Sequence, residues 1–230
     1  MKRIAITQSN YIPWKGYFDL INEVDNFVLY DDVQFTRRDW RNRNIIKTAE
    51  GLKWLTIPVK MKGKYLQKID ETIVSDSNWG AKHWRTIKQF YQSAKFFNLY
   101  CDIFENFYRT TNEPNLSFIN YELIKVICKL LNINTEIRWS SEFSHCEGKT
   151  ERLIGICKSL DATTYISGPA AKNYFDCNFA LRSGINVKWI DYSSYPVYQQ
   201  LFPPFEHQVS VLDLLFNEGP HAKKFMKSFH

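Results

Sequence analysis

Apolar and polar positions fall into blocks along this chain, and the spacing within the blocks changes in a regular order. A short apolar run, Ile4-Ala5-Ile6, leads into a polar turn, Gln8-Ser9-Asn10. Phe18, Leu20, Ile21 and Val24 then recur at spacings that place them on one face of a helix. A second apolar run, Phe27-Val28-Leu29-Tyr30, ends on two acids, Asp31 and Asp32. After a basic stretch, residues 44–48 and 53–59 flank Ala49-Glu50-Gly51, which predicts a hairpin. Residues 60–68 are rich in lysine and contain glycine, as suits an exposed loop, and residues 69–74 fit a short strand.

Helical spacing dominates the middle of the chain. Asn78 is placed to cap a helix running from Trp79 to about Ala94, and residues 97–108 and 116–131 predict two more. In the last of these Ile119, Leu123, Ile127 and Leu130 form an apolar stripe. The strand-and-helix alternation then returns. Residues 135–139 predict a strand ending at Ser140-Ser141-Glu142, and Gly148 opens a helix through about Leu160. A strand over 164–166 ends at Ser167-Gly168, residues 170–184 predict a helix, and 187–190 the last strand. Residues 196–204 hold too much proline for a central strand, and 212–216 predict a short closing helix. The expectation is one α/β domain over residues 1–230. It has an open, mostly parallel, Rossmann-like sheet of about five strands and a helical insertion near residues 75–132.

Composition sharpens this picture at three points. Aromatic residues make up 16% of the 230 positions, and several stand among charges, as in Arg38-Asp39-Trp40-Arg41, a setting that suits pocket walls. The net charge of +6 permits a nucleic-acid partner without requiring one, and the basic stretch does not extend into a long stripe, so nucleic acid is the least favoured partner. The five cysteines, at 101, 128, 146, 157 and 177, lack metal-site spacing and are odd in number. They predict reduced thiols in a cytoplasmic protein, with no bound metal. The chain starts directly on a strand pattern and holds no apolar run long enough to span a bilayer, so neither a signal peptide nor a membrane partner is expected.

In open α/β sheets ligands bind at the carboxyl ends of the strands, and four candidate stretches fall there. The first turn offers Gln8, Tyr11, Trp14, Lys15 and Tyr17, with Gly16 permitting close approach; the alternative is a helix start whose rings only pack. The second loop holds Gln34, Arg37, Arg38, Trp40, Arg41, Asn42 and Arg43. Arginines beside a flat ring suit a phosphate-bearing ligand, and the alternative is a solvated loop braced by Asp31, Asp32 and Asp39. The third, Ser140, Ser141 and Glu142 with Lys149 and Arg152, lacks the P-loop glycines but places two cations near a helix start; a capping box from Gly148 to Glu151 is the alternative. The fourth is Ser167-Gly168 at a strand end, with Gln199 a weaker candidate further on.

Taken in order, QSNYIPWKGYFDLI, DDVQFTRRDWRNRN, LTIPV, SSE, GKTERLIGIC, YISGPAAKNYF and YQQLF resemble the WbqC-like family, bacterial proteins associated with O-antigen and other surface-glycan gene sets. The resemblance implies a cytosolic step on an activated sugar. In that reading an acyl group, such as glycyl or another aminoacyl, passes from a small donor to an amino sugar on a nucleotide carrier. A more distant likeness, to pantothenate synthetase and the HIGH-motif nucleotidyl transfer enzymes, implies an acyl-adenylate and ATP as cofactor. Trp14 and Tyr17 stand where those enzymes carry histidines, leaving Lys15, Arg37 and Lys149 as sources of positive charge. On this reading Lys15, Arg37, Arg41 and Arg43 hold phosphates, Trp14, Tyr17 or Trp40 stacks a ring, and Asp31, Asp32 or Glu142 accepts the proton of the amine. The rival reading is a non-catalytic nucleotide-sugar binder that supports a glycosyltransferase.

Overall fold

Strand β1 (Arg3–Thr7) is buried on both faces, and the molecule is layered around it. A computed structural model describes residues 1–144 and 147–229. β2 (Asn26–Leu29), β5 (Glu136–Trp139), β6 (Thr164–Ser167) and β7 (Asn186–Trp189) join β1 in one parallel sheet ordered β5-β2-β1-β6-β7. Ile4 pairs with Asn26 on one side and Tyr165 on the other. From β1 the chain builds outward through β2 to β5, then returns across β1 to lay down β6 and β7. The reversal point lies between the carboxyl ends of β1 and β6, where doubly wound sheets bind ligands.

Alternation along the strands divides the core into two layers. Ile4, Ile6 and Val28 face α5 (Lys149–Ser159) and α6 (Cys177–Arg182), among Leu153, Ile154, Ile156 and Ala180. Ala5, Phe27 and Leu29 face α1 (Lys15–Asn22) and the helical insertion. That insertion comprises α2 (Trp79–Tyr91), α3 (Phe97–Thr110) and α4 (Leu116–Leu130), and the antiparallel hairpin of β3 (Arg43–Thr48) and β4 (Gly51–Thr56) precedes it. The closing helix α7 (Val211–Glu218) is buried over Val211–Asn217, and Phe216 packs against Tyr91, Phe97 and Phe104.

The open parallel sheet and the insertion match the sequence expectation, and three details differ. Residues 69–74 make only isolated bridges, Val59 with Val74 and Ile73 with Asn115. The predicted helix over 170–184 is broken: a 3-10 turn at Pro169–Asn173 stops, and Asp176 caps a fresh helix by accepting the Phe179 N–H. Asn78 stands at the N-cap of α2 without a side-chain capping bond, and the Asp76 carboxylate accepts from the Asn78 N–H and the Lys82 ammonium. Among the described residues no helix is long and apolar enough to cross a membrane. Cys101, Cys128, Cys157 and Cys177 are free thiols, and Cys146 lies outside the described residues.

Helices α2 and α3 pack tightly at Gly80, where an added Cβ would meet the Tyr108 carbonyl oxygen at 2.2 Å. A backbone atom cannot swing aside as a side chain can. Gly80→Ala should therefore lower stability by about 1–3 kcal/mol, the usual cost of overpacking. Urea denaturation measures it, and an unchanged midpoint would show that the two helices separate freely.

Candidate functional site

A cavity of about 520 Å³ opens at the reversal point between β1 and β6. Thr7 and Gln8 close it from the end of β1, Ser167 and Gly168 from the end of β6, with Arg41 and Lys149 reaching in from the loop before β3 and from the start of α5. Tyr30, Tyr165 and Tyr174 supply aromatic wall. No carboxylate lines it among the described residues, so two cations set its electrostatics. Arg41 is held for this task. Its Nη1 donates to Asn10 Oδ1, its Nη2 lies 3.7 Å from Asp39, and its backbone carbonyl accepts the Asn120 amide at 2.8 Å. Its Nε is buried without a hydrogen-bond partner among the described residues. Burial lowers the Arg41 pKa and the Asp39 charge opposes that shift, so the guanidinium stays charged.

The three acids proposed from sequence do not line this cavity. Asp31 is fully buried; its Oδ1 accepts the Ser9 N–H at 2.8 Å and its Oδ2 the Ser117 hydroxyl. Burial raises its pKa, and the bonds from Ser117 and Ser9 and the Arg41 charge pull the other way. Asp32 accepts the Ser140 hydroxyl and pairs with Arg152, whose guanidinium lies over the Tyr30 ring at 4.9 Å. Glu142 is exposed, bonded to Arg138 and to the Trp139 N–H at 2.8 Å each.

Other sequence candidates are also drawn into the framework. Tyr11 is buried and hydrogen-bonds to His83 Nδ1 at 2.7 Å and the Tyr108 hydroxyl at 2.8 Å. Tyr17 is buried, donating to the Gln8 carbonyl at 3.1 Å, with its ring against Phe18 and Phe27. Asn42 and Ile57 bond across the base of the hairpin. Lys15 turns inward to the Pro196 carbonyl at 2.9 Å, over the Tyr195 and Tyr198 rings, and burial brings its pKa down to about 8. Arg43 stacks on Trp54 at 4.0 Å. Arg37 and Arg38 are exposed, Arg37 over the Tyr65 ring. Gln34 bonds to the Tyr65 carbonyl, and Ser141 and Gln199 face solvent. Of the predicted set, the cavity at the reversal point thus gathers Gln8, Arg41, Lys149, Ser167 and Gly168. Trp14 and Trp40 line a second cavity.

The model of the WbqC-like protein family matches residues 8–225, from the turn after β1 to the end of the chain's last 3-10 turn. The chain belongs to the WbqC-like protein family. The uncharacterized protein Rv1507c of Mycobacterium tuberculosis (strain ATCC 25618 / H37Rv) is similar to it, at 46% identity over 227 residues, covering 99% of this chain and 98% of its own. No solved structure matches.

Sequence reasoning missed two groups in this WbqC-like chain. Tyr30 and Tyr174 line the reversal-point cavity, and the position of Tyr30 at the end of a predicted strand was the signal for it. The other is a buried polar knot around Asp213, whose carboxylate accepts from the Tyr91, Tyr198 and Gln200 side chains, while Lys47 donates to Gln200 Oε1 at 2.9 Å. Asp213 sits inside an apolar helical pattern, which gives no cue that it is satisfied from two other segments, α2 and the loop that carries Tyr198 and Gln200.

Bracing acids and reacting acids fail differently. Asp31→Ala strips two buried donors of their acceptor and should cost about 1–3 kcal/mol for each. Asp32→Ala leaves Arg152 without its partner and should cost up to about 3–5 kcal/mol. Thermal and urea unfolding of both variants check this; native stability in either would return that carboxylate to the list of candidate reacting groups.

Proposed function

We propose that this WbqC-like protein transfers an acyl group, glycyl or another aminoacyl, to an amino sugar on a nucleotide carrier, as a cytoplasmic step of surface-glycan (O-antigen) biosynthesis. The observation that carries the reading is the half-buried Arg41, fixed by Asn10 and Asn120, on a cavity at the sheet reversal that it lines together with Lys149 and that no carboxylate lines among the described residues. A fixed arginine with an exposed lysine on the same lining favours a diphosphate, and the tyrosines beside them suit a flat or ring-shaped group. The family's association with surface-glycan gene sets supplies the sugar. Catalysis in this reading is positioning of amine and acyl carbon, with Arg41 and Lys149 balancing the negative charge that develops. Where the acyl group is activated as an adenylate, ATP uses the same cations.

The second reading is a non-catalytic nucleotide-sugar binder that supports a glycosyltransferase. It is favoured by one observation: Asp31, Asp32 and Glu142 are all engaged by serine, arginine or backbone donors. Calorimetric titration with ATP and with amino-sugar nucleotides, followed by turnover assays with acyl and aminoacyl donors, separates the two readings. Binding is expected, and Arg41→Ala should weaken it about ten- to a hundred-fold, the value of a lost charge-assisted contact. Binding without turnover for every donor selects the binder. No binding of any nucleotide overturns both.

A further inference from the structure

A second cavity, of about 660 Å³, lies beside the first and has a different chemistry. Its walls are the rings of Trp14, Trp40, Tyr192 and Tyr195, with uncharged polar groups from Asn10, Ser193, Ser194 and Gln208 between them. No Lys, Arg, Asp or Glu lines it among the described residues. The rings are set in place by packing. Trp14 meets Tyr192 edge-on at 5.2 Å and Tyr195 at 5.4 Å, and its indole lies on Gly16, where a Cβ would come within 2.3 Å of it. Trp40 leans on Trp54 at 5.3 Å and is 37% exposed, so one side of it is open.

The polar part of the wall includes a histidine. His207 lines the cavity, its ring edge-on to Phe205 at 4.6 Å, and its Nδ1 is buried with no hydrogen-bond partner among the described residues. Burial and the nearby Lys15 charge lower its pKa, which keeps the ring neutral, with one nitrogen able to accept and the other to donate. With Asn10, Ser193, Ser194, Gln208 and His207 on its lining, the cavity suits a partner with hydroxyl, amine or amide groups. The two cavities are also coupled at one point: Asn10 lines the aromatic one, Arg41 the cationic one, and Arg41 donates to the Asn10 side chain.

We propose that the aromatic cavity is a sugar subsite, taking an uncharged pyranose ring whose apolar faces lie against the tryptophans and whose polar edge meets His207. A pyranose matches the wall because it combines apolar C–H faces with hydroxyl and amide groups at its rim, and carries no charge that an uncharged lining would leave unpaired. With the proposed diphosphate at Arg41, a sugar attached to it reaches across the Arg41–Asn10 contact into this cavity. That orientation rests on the function proposed above; the subsite itself rests on the cavity.

The test uses uridine and thymidine diphosphates, the same diphosphates joined to N-acetylated aminohexoses, and a free methyl N-acetylhexosaminide, titrated by calorimetry and by tryptophan fluorescence. The conjugate should bind more tightly than its bare diphosphate by about tenfold, the size of one or two neutral hydrogen bonds with ring contact. Trp40→Ala and His207→Ala should each bring that ratio towards one while leaving bare-diphosphate affinity unchanged, whereas Arg41→Ala should weaken the bare diphosphate. Trp40 is partly exposed, so its variant stays informative should the His207 variant fold poorly. Saturable binding of the free hexosaminide that Trp40→Ala abolishes supports the subsite even where no nucleotide binds, an outcome that overturns the proposed function alone. A conjugate ratio untouched by both variants, or free nucleosides displacing the hexosaminide, overturns the sugar subsite and leaves the diphosphate site standing.

Discussion

Two carboxylates buried just beyond the end of β2 hold the ligand edge of this molecule together. Asp31 ties the turn after β1, through the Ser9 N–H, to the start of α4, through Ser117. Asp32 ties the end of β5, through Ser140, to α5, through Arg152. Five segments distant in sequence therefore meet on two adjacent side chains. The contacts spread from there: the Trp139 indole donates to the Ser117 hydroxyl at 3.3 Å, and Asn120 of α4 donates to both the Ser9 hydroxyl and the Arg41 carbonyl. Arg41 owes its place to this frame. Buried carboxylates are costly to desolvate, and here each is compensated by donors that also close the loops.

The same arrangement decides the sign of the cavity. Asp31 and Asp32 turn inward to serine, arginine and backbone groups, whereas Arg41 and Lys149 line the opening. A region holding both acids and bases in sequence is thereby resolved into an inner frame, where Asp31 and Asp32 are met by donors, and a lining that carries the cations. Local composition does not reveal that sorting, because Asp31 and Asp32 stand in the chain immediately before the arginine-rich loop.

The sheet was legible in the sequence because its signal is local: short apolar runs of strand period ending in polar turns, separated by helical spacing. The placement of Gln8, Ser167 and Gly168 at strand ends followed from it, whereas the strand order, and so the reversal between β1 and β6, was set by long-range pairing. Side-chain direction was less legible. Tyr11, Tyr17 and Lys15 stand in a turn dense with polar and aromatic groups, yet each points into the interior, where His83, Tyr108, the Gln8 carbonyl and the Pro196 carbonyl receive them. Those partners lie up to 181 positions away in the chain, and no spacing rule reaches that far. The break near residue 174 was hidden for the opposite reason, a single capping aspartate that outweighs a helical pattern on both sides of it.

The C-terminal segment shows how a stretch without regular structure becomes a rigid wall. Residues 190–209 contain neither helix nor strand, and their prolines and exposed positions read as a loop. Their buried side chains are nevertheless fixed from below. Tyr198 and Gln200 bond to Asp213 on α7, which also holds Tyr91 of α2; Gln200 takes Lys47 from β3 and bonds twice to Glu206. Lys15 of α1 reaches the Pro196 carbonyl under the Tyr195 ring. A wall anchored at so many points spends little conformational entropy when it meets a ligand, so the aromatic cavity is preformed in the way that selective recognition of a weakly polar ring requires. The knot around Asp213 lies outside both cavities, yet it anchors the segment that carries Tyr192, Tyr195 and His207.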